Sequence, residues 1–163
     1  MFVTQEKYST KEVIKITGLE LYHLRYYDKL GLFTPSVQSG RYRRKKYSTL
    51  DVLVLQTIAA LKNKGMPFIR IRKVIELLME KHGIEKPFHS ALDGRHNVRI
   101  LTDGTESFYL CYNDKEIVEH LKDGGQYMLL DVSDMASDLK DKIRALNVYK
   151  RKKNEVRLKK AIS

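Results

Sequence analysis

The first half of the chain contains short helical patterns of apolar positions, each bounded by capping and turn signals. Ser9 followed three residues later by Glu12 predicts a capping box at the start of one helix, and Gly18 predicts the turn that ends it. A second helix is predicted from about Glu20 to Leu30, with one side left polar, basic and aromatic. Two short helices joined in this way, with such a second helix, are typical of a segment that enters a DNA groove.

Two further helices follow, each with a continuous apolar side. Ser48 with Asp51 predicts the cap of the third helix, which ends at Gly65, and Pro67 predicts the start of the fourth. Spacings of three and four residues between the apolar positions favour a role in the core over ligand binding. These positions are Leu50, Val54, Ile58, Leu61, Phe68, Ile71, Ile75 and Leu78.

A basic run with interleaved tyrosines separates the second and third helices. Its members are Arg41, Tyr42, Arg43, Arg44, Lys45, Lys46 and Tyr47. Taken alone, such a run is as consistent with a solvated loop as with a binding surface. Because it directly follows a helix-turn-helix and its tyrosines can contact sugar and phosphate, we interpret it as a wing on the DNA backbone and minor groove.

The second half of the chain predicts a smaller mixed unit. Residues 82–97 contain glycine and proline without periodicity, so they are predicted to be a linker. Residues 98–102 and 105–112 alternate around an Asp-Gly pair, which predicts a β-hairpin. A helix capped by Asn113 and a strand over residues 127–132 are predicted to follow.

A long last helix is predicted from Ser133 to about Lys160, with acidic residues at its start and lysines at its end, as the helix dipole favours. Its apolar stripe covers only the first half of the helix and is expected to form the dimerisation surface. The stripe is Met135, Leu139, Ile143 and Leu146. The basic second half allows three interpretations: a solvated tail, a contact with the DNA backbone, or a helix ordered only against a partner subunit.

The net charge changes sign twice along the chain, whose 163 residues suit one or two small domains. Residues 1–81 hold 16 Lys/Arg against 7 Asp/Glu, a net charge of +9. Residues 82–146 hold 8 against 12, a net charge of −4, and residues 147–163 hold 7 against 1, a net charge of +6. This distribution indicates a polyanion-binding module joined to a separate domain with another task.

The residues that other functions require are missing or scattered. Cys111 is the only cysteine, which excludes an internal disulfide and a thiolate metal site. His82, His89 and His96 give only a weak metal signal, and the sequence contains neither a recognisable nucleophile arrangement nor a Gly-rich phosphate loop with a lysine. We therefore expect no enzymatic activity, no metal and no cofactor. The absence of a long apolar run and of a secretion signal favours a cytoplasmic protein with no membrane partner.

The residues at many spaced positions in the first half match the sequence pattern of one known family. They are Leu24, Arg25, Tyr26, Tyr27, Gly31, Leu32, Pro35, Gly40, Tyr42, Arg43, Tyr47, Asp51, Leu61, Gly65, Ile71 and Leu78. This set resembles the MerR family of winged-helix bacterial transcription regulators. The chain departs from the family pattern by two extra residues among 44–46, by Arg41 in place of a glycine, and by Glu20 where a serine-like cap is usual.

The resemblance implies a homodimer that binds an inverted repeat at a promoter, distorts the DNA between its half-sites and has RNA polymerase as a further candidate partner. The sequence does not identify an effector. The predicted fold class is α+β, with a winged helix-turn-helix domain of about four helices in residues 1–81 and a linker in residues 82–97. Residues 98–163 are predicted to form a small α+β domain, with a β-hairpin, helix, strand and long C-terminal helix, for dimerisation or for binding a partner or effector. Residues 1–81 alone are expected to fold as a monomer.

The candidate DNA contacts come from the first two helices and the wing. We expect Tyr22, His23 and Tyr26 to face base edges or the groove wall. Arg25 and Tyr27, with the wing arginines, are expected to hold phosphates. The full candidate set is Lys11, Tyr22, His23, Arg25, Tyr26, Tyr27, Arg41, Tyr42, Arg43, Arg44, Lys45, Lys46 and Tyr47.

Three functions remain open from the sequence. The leading one is a sequence-specific transcription regulator that binds double-stranded DNA in the bacterial nucleoid. The alternative is an architectural or accessory DNA-binding protein, of the recombination-directionality or chromosome-anchoring type, which uses the same head without regulating a promoter. An enzyme on a winged-helix scaffold is disfavoured by the missing catalytic residues.

Overall fold

The computed structural model describes residues 7–33, 35, 37–39, 44–81 and 85–162, and these ranges form helices α1–α7 and strands β1–β6. The helices are α1 Thr10–Thr17, α2 Leu21–Lys29, α3 Thr49–Asn63, α4 Phe68–Lys81, α5 Glu85–Leu92, α6 Asp114–Leu121 and α7 Val132–Ile162. The strands are β1 Lys7–Ser9, β2 Val37–Ser39, β3 Arg44–Ser48, β4 Arg99–Thr102, β5 Phe108–Cys111 and β6 Met128–Asp131. The predicted α+β class is confirmed.

Local hydrogen bonds cap the starts of two helices where the sequence predicted them. The Ser9 hydroxyl accepts from the Glu12 N–H at 3.2 Å, and the Glu12 carboxylate accepts from the Ser9 N–H at 3.0 Å. The same reciprocal pair of bonds joins Ser48 and Asp51 at the start of α3. Each pair satisfies two backbone N–H groups that a helix leaves unbonded. The predicted first and third helices are thus confirmed together with their caps.

The strands form two separate antiparallel sheets. In the first sheet β3 lies between β1 and β2, and the β2–β3 pair is the hairpin that a wing requires. In the second sheet β4 lies between β5 and β6. The predicted hairpin and third strand of the second half are therefore confirmed, and β6 completes the sheet on the side of β4 opposite β5.

A single cluster of buried side chains runs from Tyr8 in β1 to Ile143 in α7. At its centre lies α3, in which every residue from Asp51 to Ala59 is buried. A helix that is buried on all sides needs partners on all sides. α1, α4 and β3 supply some of them, and α5 and α7 from the second half of the chain supply the others.

The prediction of a linker over residues 82–97 is wrong for its central part, because α5 lies there. Phe88 and Leu92 are fully buried in the common core, and α5 packs against both α3 and α7. Pro87 stands in the first turn of this helix, where a missing N–H costs nothing, and Gly94 follows its end with φ of 70°. The glycine and proline that indicated a loop instead mark the ends of a short core helix.

The long helix α7 also differs from its prediction at its start. The Asp131 carboxylate accepts from the Asp134 N–H at 2.9 Å and caps the helix, so Ser133 is not the cap. The Ser133 hydroxyl instead accepts from the Val98 N–H at 2.8 Å and donates to the His96 carbonyl at 3.1 Å. These bonds fix the start of α7 against the segment that leads into β4.

The apolar stripe of α7 belongs to the core of the protomer. Leu139 is 0% and Ile143 2% exposed, while Met135 and Leu146 are partly buried against the same cluster. Side chains that are already enclosed by α3 and α5 cannot provide the face of a second copy. The expectation that this stripe forms the dimerisation surface is therefore corrected.

Among the described residues, no helix has the combination of length and apolar character needed to cross a membrane.

Candidate nucleic-acid interface

The first two helices are joined by a three-residue turn that begins with Gly18. Its φ is +74°, in the left-handed region that favours glycine, and its N–H donates to the Ile14 carbonyl at 3.0 Å. Leu19 in the turn and Leu24 in α2 are buried and fix α2 against the core. The opposite side of α2 is left in solvent, as a recognition helix requires.

The exposed side of α2 is aromatic and basic. Tyr22 is 61% and Tyr26 49% exposed, and Arg25 lies exposed between them. Spacings of three and four residues place Tyr22, Arg25, Tyr26 and Lys29 on one side of the helix. These residues present hydroxyl, guanidinium and ammonium groups on the surface that a DNA groove would meet.

Phe68, at the start of α4, supports α2 from behind. The centroid of its ring lies 5.2 Å from that of Tyr26 and 6.1 Å from that of Tyr27. The rings of Phe68 and Tyr27 are nearly parallel. The pattern predicted Phe68 as a core residue but gave no sign of this supporting role. The one sequence feature that could have indicated this contact is the position of Phe68 directly after Pro67, at the start of a helix.

Two of the candidate DNA contacts are core residues in the structure. Tyr27 and Tyr47 are each 3% exposed, and burial raises the pKa of both phenols. Tyr47 stacks on Phe33 with ring centroids 6.4 Å apart. The expectation that these two side chains contact DNA is corrected, because so little of either side chain is exposed.

His23 has a structural role at the start of α2. Its Nδ1 accepts a hydrogen bond from the Glu20 N–H at 3.0 Å, which requires that nitrogen to be unprotonated. Burial, followed by the nearby Lys62 ammonium, lowers the pKa of His23 below its usual value. The bond satisfies a backbone donor at the position where Glu20 replaces the serine-like cap.

We expect mild acid to weaken α2 through this histidine. Because the folded pKa of His23 is below that of the unfolded chain, its contribution to stability is fully present above about pH 6.5 and is lost as the pH falls through the folded pKa. The expected loss is about 0.5–1 kcal/mol, the size of a helix cap. Thermal unfolding at pH 7.5 and pH 5.5, compared between the wild type and His23→Gln, measures it. An equal pH dependence in both proteins would contradict the assigned role.

A groove of ≈ 500 Å³ lies where the start of α1 meets α2 and β3. Its lining includes four cations, Lys11, Arg25, Lys45 and Lys46. Lys11 and Arg25 are exposed and Lys46 is half-buried, whereas the Lys45 ammonium forms an ion pair with Asp28 at the end of α2. The ion pair ties the wing strand to α2, so Lys45 is less available to a phosphate than its three neighbours.

The tip of the wing lies outside the described residues. This applies to Arg41, Tyr42 and Arg43 of the candidate set, and to the side chain of Arg44, whose backbone begins β3. The structure therefore brings together Lys11, Tyr22, Arg25, Tyr26 and Lys46, with His23 beside them as a cap. Their contact with DNA remains a prediction.

The described residues offer little for other chemistry. No three His, Cys, Asp or Glu side chains within these ranges lie close enough together to hold a metal ion. Cys111 is buried, and burial raises the pKa of its thiol, which is the opposite of what a reactive thiolate needs.

Comparison with known proteins agrees with a DNA-binding role for the exposed side of α2. Residues 8–78 match the family described as MerR HTH family regulatory protein. An uncharacterized HTH-type transcriptional regulator of Mycobacterium tuberculosis is 27% identical over 121 residues, 73% of this chain and 49% of the relative. The chain thus spans about half the length of this relative. The multidrug-efflux transporter 1 regulator of Bacillus subtilis is 34% identical over 74 residues, 45% of this chain and 27% of the relative.

A third relative, the putative heat shock protein HspR of Streptomyces coelicolor, is 34% identical over 84 residues, 49% of this chain and 54% of the relative. The matched segment contains the helix-turn-helix, both strands of the wing hairpin, and α3 with most of α4. The three relatives differ in the functions that their names describe, while sharing similarity to parts of this chain. Over residues 8–78, the chain is thus similar to the MerR family of helix-turn-helix regulatory proteins.

Proposed function

We propose that the protein is a sequence-specific DNA-binding transcription regulator. The observation that carries the proposal is the exposed side of α2, where Tyr22, Arg25 and Tyr26 stand beside a groove lined by cations. In the proposed complex α2 lies in the major groove, Tyr22 and Tyr26 contact base edges, and Arg25 with Lys11 and Lys46 contacts phosphates. The names of the similar proteins, two of them called transcriptional or transporter regulators, support this assignment.

We further infer a homodimer on an inverted repeat, with distortion of the DNA between the half-sites. A two-fold operator requires a two-fold protein. Because Leu139 and Ile143 are buried within the protomer, a different surface must contact the second copy. We place it on the solvent-facing side of α7, where exposed apolar side chains recur along the second half of the helix. They are Val148, Val156, Leu158 and Ile162.

Selection of binding sites from a random-sequence library tests these points together. Recovery of an inverted repeat supports both sequence-specific binding and the dimer, and recovery of one half-site supports the first alone. Binding sites mapped across the genome then separate a regulator from an architectural protein. A few promoter sites are expected, whereas many dispersed sites would favour the architectural alternative.

Replacing Tyr22 by alanine is expected to reduce sequence discrimination. A good contact to a base edge contributes about 1–3 kcal/mol of discrimination, while non-specific binding depends mainly on phosphate contacts. Tyr22→Ala should therefore lower the affinity ratio between a selected duplex and a random one by about this amount and leave random-duplex affinity nearly unchanged. Fluorescence anisotropy with both duplexes gives the ratio.

Tyr112→Ala provides the matched control, because Tyr112 is also exposed but lies beyond β5 in the other half of the chain. It should alter neither affinity. If Tyr22→Ala weakens binding to both duplexes equally, Tyr22 positions the protein on the backbone and does not read sequence.

A further inference from the structure

The contacts of α7 with α1 set the direction of the long helix. The Lys142 ammonium donates to the carbonyl of Ile16 in the last turn of α1 at 3.3 Å. Eight residues further along α7, the Lys150 ammonium lies 2.5 Å from the carboxylate of Glu12 in the first turn of α1. The second half of α7 therefore runs antiparallel to α1 and continues past the N-terminal end of α1.

Lys150 and Glu12 form an ion pair between the two helices. Burial alone would raise the pKa of the Glu12 carboxyl, but the Lys150 ammonium and the hydrogen bond from the Ser9 N–H outweigh it and lower the pKa below its usual value. One residue earlier on α7, the ring of Tyr149 lies beneath the Lys15 ammonium, which is 4.9 Å from the ring centroid. Two adjacent side chains of α7 thus contact α1, Lys150 at its first turn and Tyr149 at its last turn.

Beyond Lys150 the helix continues for another twelve residues, a length of about 18 Å. All of these residues are exposed, so neither core packing nor the body of the protein explains why the segment is helical and basic. The N-terminal end of α1, past which the segment runs, also borders the cationic groove at Lys11 and Lys46. A straight continuation of α7 past this end of α1 would bring its basic end to the side of the molecule that faces DNA in the proposed complex.

Some of the cations in the second half of α7 lie on the side of the helix that contacts α1. Leu146, Lys150, Lys153 and Arg157 follow each other at spacings of four, three and four residues, which places them on one side of the helix. Leu146 packs on the core and Lys150 contacts Glu12, so this is the side of α7 that faces the body. Past α1 the same side of the helix carries Lys153 and Arg157, which are exposed and, on a straight helix, would project toward the DNA-binding surface.

We propose that the second half of α7 is an additional DNA-binding element, in which Lys153 and Arg157 contact backbone phosphates next to the bases that α2 reads. This inference rests on the proposed DNA-binding function. Residues 147–163 carry 7 Lys/Arg against 1 Asp/Glu, and this charge is complementary to the phosphate backbone. The contact is independent of sequence, so it raises affinity without adding discrimination.

The test compares two double variants of the full chain that remove equal charge from opposite sides of one helix. Lys153→Gln with Arg157→Gln changes the side that faces the body and the DNA. Lys152→Gln with Lys159→Gln changes the side that faces away from them, next to the proposed dimer surface, so it is compared with the wild type only at a concentration where both have the same oligomeric state. All four residues are exposed, and glutamine keeps nearly the same helix propensity, so both variants should retain the wild-type circular dichroism and thermal unfolding.

Affinity for a random-sequence duplex is measured as a function of salt concentration for the wild type and both variants. Each phosphate contact contributes about 0.9 to the slope of log affinity against log salt, so the first variant should lose about 1.8 for each protomer on the duplex, or about 3.6 for a homodimer, and the second close to zero. A selected duplex measured in parallel should show an unchanged ratio of specific to random affinity for both variants. Light scattering at the assay concentration checks that the two variants share one oligomeric state.

The outcomes separate this inference from the proposed function. Equal losses of slope in both variants would overturn the inference, since they would show a diffuse effect of charge and no defined side. Unchanged slopes in both would overturn it as well, and α7 would end in a solvated tail while the protein remained a DNA-binding regulator. If the wild type itself showed no salt-dependent binding to either duplex, the proposed function would fail and this inference with it.

Discussion

Removing residues 82–163 is expected to unfold the remaining N-terminal half and not to release a stable DNA-binding fragment. α3 is buried on all sides, and α5 and α7 cover part of it. Burying one large apolar side chain contributes about 1.5–3 kcal/mol, and a domain is stable by only about 5–15 kcal/mol. Exposing the side of α3 that now faces two helices would therefore remove most or all of the stability. The expectation from sequence that residues 1–81 fold alone is replaced by this one.

Circular dichroism and urea unfolding of residues 1–81 measure the effect, and a shorter deletion provides the control. The described residues within 151–163 are all exposed in the protomer, so, at protein concentrations too low for dimerisation, the midpoint of unfolding should stay close to that of the full chain after their removal. A cooperative unfolding transition in residues 1–81, at a midpoint near that of the full chain, would show that α5 and α7 are dispensable for the DNA-binding half.

Replacing Phe88 by alanine is expected to be the most damaging single substitution considered for this chain. The ring is 0% exposed in α5, between α3 and α7. Truncating a buried phenylalanine to alanine typically costs about 3–5 kcal/mol, from lost burial and the cavity that remains. The free energy of unfolding, measured with urea, should fall by about this amount, and DNA binding should weaken at temperatures where the variant is partly unfolded.

Val118→Ala is the matched control, because Val118 is 56% exposed on α6. It should change the free energy of unfolding by less than about 0.5 kcal/mol. A small effect of Phe88→Ala, similar to that of Val118→Ala, would mean that α5 is a surface element and that the residues around it are a linker after all.

The parts of the fold that the sequence predicted well depend on local chemistry. Ser9 with Glu12, and Ser48 with Asp51, form their caps within four consecutive residues, so no knowledge of the rest of the chain was needed. The β4–β5 hairpin is likewise formed by neighbouring segments, with Gly104 at φ of 78° in the turn. Local signals of this kind locate elements reliably because their partners are close in sequence.

The parts that the sequence did not predict depend on contacts between distant segments. Periodicity showed that Leu139 and Ile143 share an apolar side, but it carried no information on whether that side meets another chain or the protein's own α3 and α5. Tyr27 and Tyr47 illustrate the same problem at the candidate site. A tyrosine next to a basic residue has the same sequence pattern whether its ring packs inside, as both do here, or faces DNA, as we propose for Tyr22.

α5 was missed for a different reason. Pro87 and Gly94 are strong breakers inside a helix, yet they are compatible with its first turn and with the position just after its end. With only eight residues between Glu85 and Leu92, the apolar pattern was too short to outweigh them. The buried side chains Phe88, Ala91 and Leu92 become a recognisable stripe only when the helix is already known.

The shared core around α3 limits how this protein can be re-engineered. Hybrid regulators are commonly made by joining a DNA-binding domain to a foreign domain at a flexible linker. In this protein, a junction placed within residues 82–97 would interrupt α5, a helix of the core. A chimera that joins residues 1–81 to a foreign sensor would need a substitute for the α5 and α7 surfaces that cover α3. The smallest transplantable unit therefore extends at least to Ile143, the last fully enclosed side chain of α7.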